Sequence, residues 1–116
     1  MKSKAQPLTE DMIEVVARRF RLLAEPVRLR LLRTLESGEY TVNELADAVH
    51  STQANVSRHL SAMSDAGLLH RRREGNSICY SIGDPIVFKL CELVCESVRE
   101  RAREQFGALT RTAGQR

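Results

Sequence analysis

Two short helical segments that follow each other almost without a gap constrain this fold more than any other part of the sequence. The first begins with a capping box, because Thr41 can cap a helix whose third residue is Glu44, and it runs to about His50. The second runs from about Thr52 to Ala66, and Gly67 favours its termination. Two helices joined by so few residues are typical of a helix-turn-helix.

The rest of the sequence predicts three more helices and one β-hairpin, which gives a mainly α fold with a small β-hairpin. The 116 residues are enough for one domain with a modest core. We expect this domain to span residues 9–106, with mobile ends over residues 1–8 and 107–116. The further predicted elements are a helix from about Glu10 to Leu23 with Thr9 as its N-cap, a helix from Pro26 to near Gly38, a strand over Leu68–Arg73, a turn over Glu74–Asn76, a strand over Ile78–Ile82, and a helix from the Asp84–Pro85 cap to about Phe106.

The spacing of apolar residues predicts which side chains are buried. The predicted inward-facing residues are Leu29, Leu32 and Leu35 in the second helix, Val56, Leu60 and Met63 in the fourth, and Ile78, Tyr80 and Ile82 in the return strand of the hairpin. Because neighbouring residues of a strand point to opposite faces, we expect Cys79 to lie on the other face of the hairpin.

The remaining side of the fourth helix is small and polar. Small residues let a helix enter a groove about 12 Å wide, Gln and Asn can read adenine, and Arg can read guanine or bind phosphate. This composition favours DNA reading over an ordinary solvated face. His59 points partly toward the protein, which favours a packed histidine over a metal ligand. The candidate contacts in this helix are Thr52, Gln53, Ala54, Asn55, Ser57, Arg58, His59 and Ser61.

The hairpin that follows carries three consecutive arginines, Arg71, Arg72 and Arg73. The net charge of the chain is only +3, so the distribution of charge is more informative than its total. A basic hairpin beside a DNA-reading helix fits a wing that binds the phosphate backbone. We expect Arg72→Ala to weaken binding to every DNA sequence and to flatten its salt dependence. Asn76 and Ser77, at the tip, complete the predicted contacts.

Six groups of residues, in this order and at this spacing, resemble the successive signatures of the ArsR/SmtB family of repressors. They are LAEPVRLRLL at Leu23–Leu32, VNELA at Val42–Ala46, NVSRHL at Asn55–Leu60, AGL at Ala66–Leu68, REG at Arg73–Gly75 and YSI at Tyr80–Ile82. The resemblance extends over about residues 9–103. It implies a homodimeric winged helix-turn-helix that binds operator DNA and leaves it when a metal, metalloid or oxidant is sensed.

The resemblance also implies where such family members bind an inducer, and this sequence departs from both patterns. Arsenic and lead/cadmium sensors often carry a Cys-x-Cys pair at positions that correspond to Thr41 and Asn43, and neither residue supplies a thiolate. Zinc, nickel and cobalt sensors use carboxylates and histidines of the last helix. The corresponding residues here are Asp84, Ile86, Ser97 and Glu100. Both histidines are missing, so we expect both kinds of site to be absent.

Three cysteines, Cys79, Cys91 and Cys95, remain as candidate ligands of an inducer. Cys91 and Cys95 are four residues apart in the last helix and share one of its faces. They can bind a soft metal ion or a trivalent metalloid, or react with reactive oxygen or sulfur species, and Cys79 is a candidate third ligand. The alternative, in which the cysteines are only small apolar residues of a dimer contact, stays open.

The first and last helices carry more apolar surface than one small domain normally buries. The surplus residues are Val15 and Leu22 in the first helix and Phe88, Cys95, Ala102 and Phe106 in the last. Two such helices at opposite ends of the chain predict a homodimer with a shared two-fold contact. A two-fold dimer in turn predicts an operator with inverted half-sites about one or two helical turns apart.

Other functional classes find little support in the sequence. No Gly-rich phosphate loop, nucleophile elbow or placed pair of acids points to an enzyme. A winged-helix protein-interaction module is an alternative, but the polar fourth helix and the arginine run argue against it. The first residues lack the apolar stretch of a secretory signal, and no apolar run is long enough to span a membrane, so we expect a cytoplasmic protein without membrane contact.

Overall fold

A computed structural model describes residues 7–114 of the chain, with side chains to residue 107, and it confirms the mainly α fold with a small β-sheet. The helices are α1 (Glu10–Leu23), α2 (Pro26–Leu35), α3 (Val42–Ala48), α4 (Gln53–Asp65) and α5 (Pro85–Gly114), and the strands are β1 (Tyr40–Thr41), β2 (Leu69–Glu74) and β3 (Ser77–Ile82). The chain forms two compact units, one up to Gly83 and one from Asp84 onward that contains α5.

Threonine caps set the starts of three helices, and two of them, Thr9 and Thr41, were predicted from the sequence. Thr9 accepts a hydrogen bond from the backbone N–H of Met12 at the start of α1. At the start of α3 the capping box is complete, because the Thr41 side chain accepts from the Glu44 N–H while the Glu44 carboxylate accepts from the Thr41 N–H. At the start of α4 the Thr52 side chain accepts a hydrogen bond from the Asn55 N–H. Each cap satisfies a backbone N–H that has no partner inside its helix.

The sheet has the order β1-β3-β2, and all its pairs are antiparallel. The two-residue strand β1 was not predicted from the sequence. It makes β3 the central strand, and α2 and α3 also pack against β3. Because β3 is covered on both faces, Cys79 and Tyr80 are both buried, with 4% and 2% of their surface exposed. Cys79 thus lies on the face opposite Tyr80, as expected from the alternation of the strand, but the burial of that second face was not predicted.

The core of the first unit joins α2, α3, α4 and the sheet. Val56, Leu60 and Met63 of α4 are fully buried, as predicted. In α2, Leu31 is fully buried and Leu29 is 44% exposed, so the prediction from spacing that Leu29 belongs to the buried stripe was wrong. The fully buried side chains with the largest volumes are Tyr80, Leu31, Leu35, Leu45, Leu60, Met63, Leu68 and Val56.

The last helix is longer than predicted. It begins after Asp84, whose side chain accepts a hydrogen bond from the Ile86 N–H at 3.0 Å, and it continues past the predicted end at Phe106 to Gly114. Residues 1–6 and 115–116 lie outside the described residues, and the expected mobility of the two ends stays a prediction. No helix within residues 7–114 is both long and apolar enough to cross a membrane.

Candidate nucleic-acid interface

The turn between α3 and α4 sets the direction in which α4 leaves the core. His50 adopts a left-handed conformation with φ of 56°. Its N–H donates to the Asp47 carbonyl, and the Ser51 N–H donates to the Ala46 carbonyl at 3.0 Å. These two bonds are those of a Schellman motif, which ends a helix and reverses the chain within a few residues. The Thr52 cap follows directly, so α4 begins at once.

One face of α4 is buried and the opposite face is exposed, as the sequence predicts. The exposed residues along most of its length are Gln53, Ala54, Arg58 and Ser61, and the half-buried ones at the edges are Asn55 and Ser57. Asp65, at the far end of α4, is exposed as well. An accessible face built from Gln, Ala, Ser and Arg can approach base edges closely and offers both donors and acceptors.

Arg58, the cation of this face, is held by its neighbours along the helix. Its guanidinium donates to Asn55 Oδ1 at 2.6 Å, and Asn55 Nδ2 donates to Ser51 Oγ at 3.0 Å. This chain of hydrogen bonds runs from the turn into the exposed face of α4. Orienting the guanidinium before DNA arrives lowers the entropy that is lost on binding.

His59 is turned toward the protein and away from the exposed face. Its side chain is only 12% exposed, and Nδ1 accepts a hydrogen bond from Arg28 Nε at 2.9 Å. Arg28 also donates to the carbonyl of Leu22, so one guanidinium links α1, α2 and α4. Desolvation and the nearby positive charge of Arg28 lower the pKa of His59, against the opposing effect of the Glu25 carboxylate. These contacts match the packed histidine that the sequence favours, and the DNA contact of His59 stays a prediction.

The hairpin of β2 and β3 turns at Gly75, whose φ of 62° suits glycine. Arg71 and Arg73 are exposed, and neither side chain is bonded to another described residue. Arg72 is different, because its guanidinium makes two hydrogen bonds to the Glu39 carboxylate, at 3.0 and 2.7 Å, and one to Glu74 at 3.0 Å. The hydrogen bonds from Arg72 also lower the pKa of Glu39.

A polar cleft of about 160 Å³ brings the two predicted parts of the site together. Gln53 and Ser57 of α4 line it on one side, and Asn76 and Ser77 of the hairpin tip line it on the other. Its complete lining is Thr41, Val42, Asn43, Gln53, Ser57, Asn76, Ser77 and Ile78. The cleft contains no carboxylate, which suits the approach of a polyanion.

The three cysteines differ in how accessible their thiols are. Cys79 is buried in the sheet, whereas Cys91 is half-buried and Cys95 is exposed, both in α5. Burial, together with the nearby Cys95, raises the pKa of the Cys91 thiol. Within the described part of the chain, no group of three or more His, Cys, Asp or Glu side chains is arranged to hold a metal ion.

Apolar side chains remain exposed on α1 and on α5, considered one helix at a time. On α1 they are Met12, Ile13, Val15, Val16 and Phe20, and on α5 they are Ile86, Leu93, Val94, Val98 and Phe106. Exposure of so many large apolar groups on one small chain is typical of a surface that another protein covers. Of the predicted surplus residues, Val15 and Phe106 are among those exposed.

Two side-chain contacts near α4 and the hairpin were not predicted from the sequence. They join Arg72 to Glu39 and Arg28 to His59, across 33 and 31 residues of sequence. No periodicity or short motif reports a pair at such a separation. The arginine run identified Arg72 as a candidate functional residue, but no pattern in the sequence predicted that Glu39 is its partner.

Comparison with known proteins gives consistent matches. The profile of the family described as "Bacterial regulatory protein, arsR family" matches residues 25–71. A probable mercury resistance operon repressor of Streptomyces lividans is 42% identical over 80 residues, which are 69% of this chain and 64% of that protein. The chain thus spans less than two thirds of the length of this relative.

Solved structures extend the match to most of the chain. The crystal structure of the AntR antimony-specific transcriptional repressor superposes with a TM-score of 0.76 at 35% identity, over 86% of this chain and 91% of that one. The homodimeric winged helix-turn-helix DNA-binding domain of Mb0332 from Mycobacterium bovis superposes with a TM-score of 0.76 at 29% identity, over 89% and 95% of the two chains.

Proposed function

We propose that this chain, which belongs to the ArsR family of bacterial regulatory proteins, is a transcriptional repressor that binds operator DNA as a homodimer. The observation that carries the proposal is the polar cleft in which the exposed face of α4 meets the tip of the hairpin. In this arrangement α4 enters the major groove and the hairpin follows the adjacent phosphate backbone. The proposed contacts are the helix residues 52–55, 57, 58 and 61 and the hairpin residues 71, 73, 76 and 77, with Arg72 in an indirect role.

DNA binding is tested with Arg58→Ala, because Arg58 is the cation of the exposed α4 face. Loss of a good bidentate base contact costs about 1–3 kcal/mol, so we expect Kd for the specific site to rise by about 5- to 150-fold. Binding to unrelated DNA should weaken far less. The measurement is fluorescence anisotropy with DNA from upstream of the protein's own gene and with a scrambled duplex.

Arg33→Ala is the matched control, since Arg33 is an exposed arginine of α2 that does not line the cleft. It removes the same charge and should leave the specificity ratio unchanged. Equal effects of the two substitutions on both duplexes would remove α4 as the reading element. Failure of the unmodified protein to distinguish its upstream DNA from the scrambled duplex would count against the repressor function itself.

We further propose that the cysteine pair of α5 responds to a thiol-directed inducer, a soft metal ion or a trivalent metalloid. The Cβ atoms of residues four apart in a helix are about 5–6 Å apart, whereas a disulfide needs about 3.8 Å. A large soft ion can bridge the two sulfurs with less distortion of α5. The names of the relatives favour this class, since one is a mercury resistance repressor and another is antimony-specific.

Two thiols supply only two ligands, so a third comes from solvent or from the partner subunit. Cys79 is a poor third ligand because it is buried in the sheet. Binding of the ion also displaces the thiol protons. Because the pKa of Cys91 is raised, we expect inducer affinity to increase with pH around neutrality.

The test is the Cys91→Ser, Cys95→Ser double variant with mercuric ion, arsenite and antimonite as probes. We expect the variant to bind DNA like the unmodified protein and to remain bound when a probe releases the unmodified protein. Zinc ion serves as the borderline control, since two thiols without histidine make a poor zinc site. If the variant is released like the unmodified protein, or if no probe releases either, the cysteines are packing residues only.

A further inference from the structure

The middle arginine of the hairpin run is already bound by two carboxylates. Arg72 Nε and Nη2 each donate to one oxygen of Glu39, and Nη2 also donates to Glu74. A paired, planar contact of this kind is the strongest geometry available to an arginine and a carboxylate. To bind a phosphate, Arg72 would have to leave both acids, which would then lie uncompensated beside the DNA.

The register of the sheet separates Arg72 from its two neighbours. Arg71 is paired with Tyr80 and Arg73 with Ile78, so both point to one face of the hairpin, whereas Arg72 is paired with Cys79 and points to the other. Arg71 and Arg73 have no bonded side-chain partner among the described residues. Of the three arginines, Arg71 and Arg73 are therefore available to bind phosphate, whereas Arg72 is already paired with carboxylates.

The contact with Glu39 spans the sheet. Arg72, Cys79 and Thr41 occupy one cross-strand row over β2, β3 and β1, and Glu39 directly precedes β1. The ion pair thus links one outer strand to the segment that leads into the other. Its effect is to fix the hairpin relative to the start of α3, which lines the same cleft as the hairpin tip.

We infer that Arg72 is a positioning residue that locks the hairpin to the segment before β1, and that Arg71 and Arg73 make the phosphate contacts. The inference rests on the proposed DNA-binding function and refines the role of its wing. It differs from the expectation from the sequence, in which Arg72 binds the phosphate backbone of DNA. A positioning residue changes DNA affinity without changing the number of ions released on binding, and this difference can be measured.

The experiment compares the salt dependence of DNA binding among single variants of the full chain. Arg71→Ala and Arg73→Ala should each lower the slope of log K against log salt by about 0.9, the value for one lost phosphate contact. Arg72→Ala should raise Kd by about fivefold with the slope unchanged, an effect in the range of a geometrically favourable ion-pair network. A slope reduced by about 0.9 in Arg72→Ala would overturn the inference.

Glu39→Gln provides a second test, because the two possible roles of Arg72 predict opposite changes in DNA affinity. A positioning pair predicts weaker DNA binding than in the matched control Glu36→Gln, which removes the same charge from an exposed residue that forms no ion pair within residues 7–107. A phosphate-binding Arg72 predicts tighter binding than in that control, because a competing carboxylate has been removed. Tighter binding would also overturn the inference.

Amide hydrogen exchange of β2 and β3 without DNA separates the failure of this inference from failure of the proposed function. Arg72→Ala and the double variant should speed exchange in the hairpin to the same extent, because Glu39 has no partner left once Arg72 is gone. Glu39→Gln should speed it by the same amount or less, because Arg72 then keeps its contact with Glu74. If the protein binds no DNA but the exchange rates rise together, the positioning contact stands and the repressor function fails. Additive effects of the two substitutions on exchange would contradict the contact itself.

Discussion

Two helices of the DNA-binding unit end in the same motif with different residues at its left-handed position. In α3 that residue is His50, with φ of 56°, and in α4 it is Gly67, with φ of 83°. The bonds of Leu68 to Met63 and of Gly67 to Ser64 repeat those at the end of α3. A left-handed conformation costs a residue with a side chain about 1–2 kcal/mol, a cost that glycine avoids.

We expect His50→Gly to stabilise the protein by up to about 1 kcal/mol and Gly67→Ala to destabilise it by about 1 kcal/mol. A Cβ at Gly67 meets nothing within 4 Å, so the second effect comes from the backbone alone. Urea unfolding measures both changes. His50→Ala keeps the left-handed strain and is the control. A His50→Gly protein no more stable than His50→Ala would show that strain at this turn is negligible.

His59 gives stability a defined dependence on pH. The groups that act on it are Arg28, Glu25 and Arg58, and its pKa lies below the ordinary value of 6.5. The unfolded chain therefore binds more protons than the folded one as pH falls below 6.5, and the free energy of unfolding decreases. Protonation also removes the acceptor that Nδ1 offers to Arg28.

We expect His59→Gln to reduce the loss of stability between pH 7.5 and 5.5 that the unmodified protein shows. The range follows from the sign of the shift, since the contribution is complete above the unfolded pKa and is lost as pH falls through the folded one. Denaturant midpoints at several pH values measure it. His70→Gln, which changes an exposed histidine of β2, should keep the full dependence. An unchanged pH profile in His59→Gln would exclude His59 as its source.

At the scale of elements, local signals located the starts of the helices and the hairpin, but not every helix end and not the third strand of the sheet. The threonine caps, Pro26 and Gly67 act within one turn of their helix, so the sequence alone located α1 and the helix-turn-helix closely. The strand β1 exists only because Tyr40 and Thr41 pair with residues 80 and 79. Two residues carry no pattern of their own, which left the central position of β3 and the burial of Cys79 unpredicted.

The candidate interface shows the same division. The exposed residues of α4 and the basic hairpin were named correctly as exposed, because period and composition decide them. The contacts that orient these elements, from Arg28 to His59 and from Arg72 to Glu39, depend on tertiary structure.

The end of α5 was missed for a different reason. An isolated glycine such as Gly107 costs a helix only about 1 kcal/mol and need not end it.

At the scale of the whole molecule, the exposed apolar faces of α1 and α5 require a cover, which we propose is a second copy of the chain. Val98 of α5 is 62% exposed and Leu93 is 69% exposed. A homodimer also presents two copies of α4 to two half-sites, as an inverted repeat requires. The homodimeric domain from Mycobacterium bovis has the same fold.

We expect Val98→Glu to turn the dimer into a monomer at micromolar concentration, because a carboxylate buried in an apolar contact is strongly unfavourable. DNA affinity should fall by at least tenfold, since one subunit then binds one half-site. Sedimentation velocity and anisotropy measure the two effects. Lys89→Gln changes the charge of α5 by the same amount at an exposed site and should remain dimeric. A dimeric Val98→Glu protein would place the contact elsewhere.

Because Cys79 is buried in the central strand, the labelling rate of its thiol can report how often the sheet opens. The chain has three cysteines, so the Cys91→Ser, Cys95→Ser variant retains this thiol alone. A labelling reagent then reaches it only when β3 separates from its cover, and the labelling rate relative to that of the unfolded chain gives the free energy of that opening. If DNA holds the hairpin in place, bound operator should lower the labelling rate of Cys79. The size of the decrease measures how strongly DNA stabilises the hairpin.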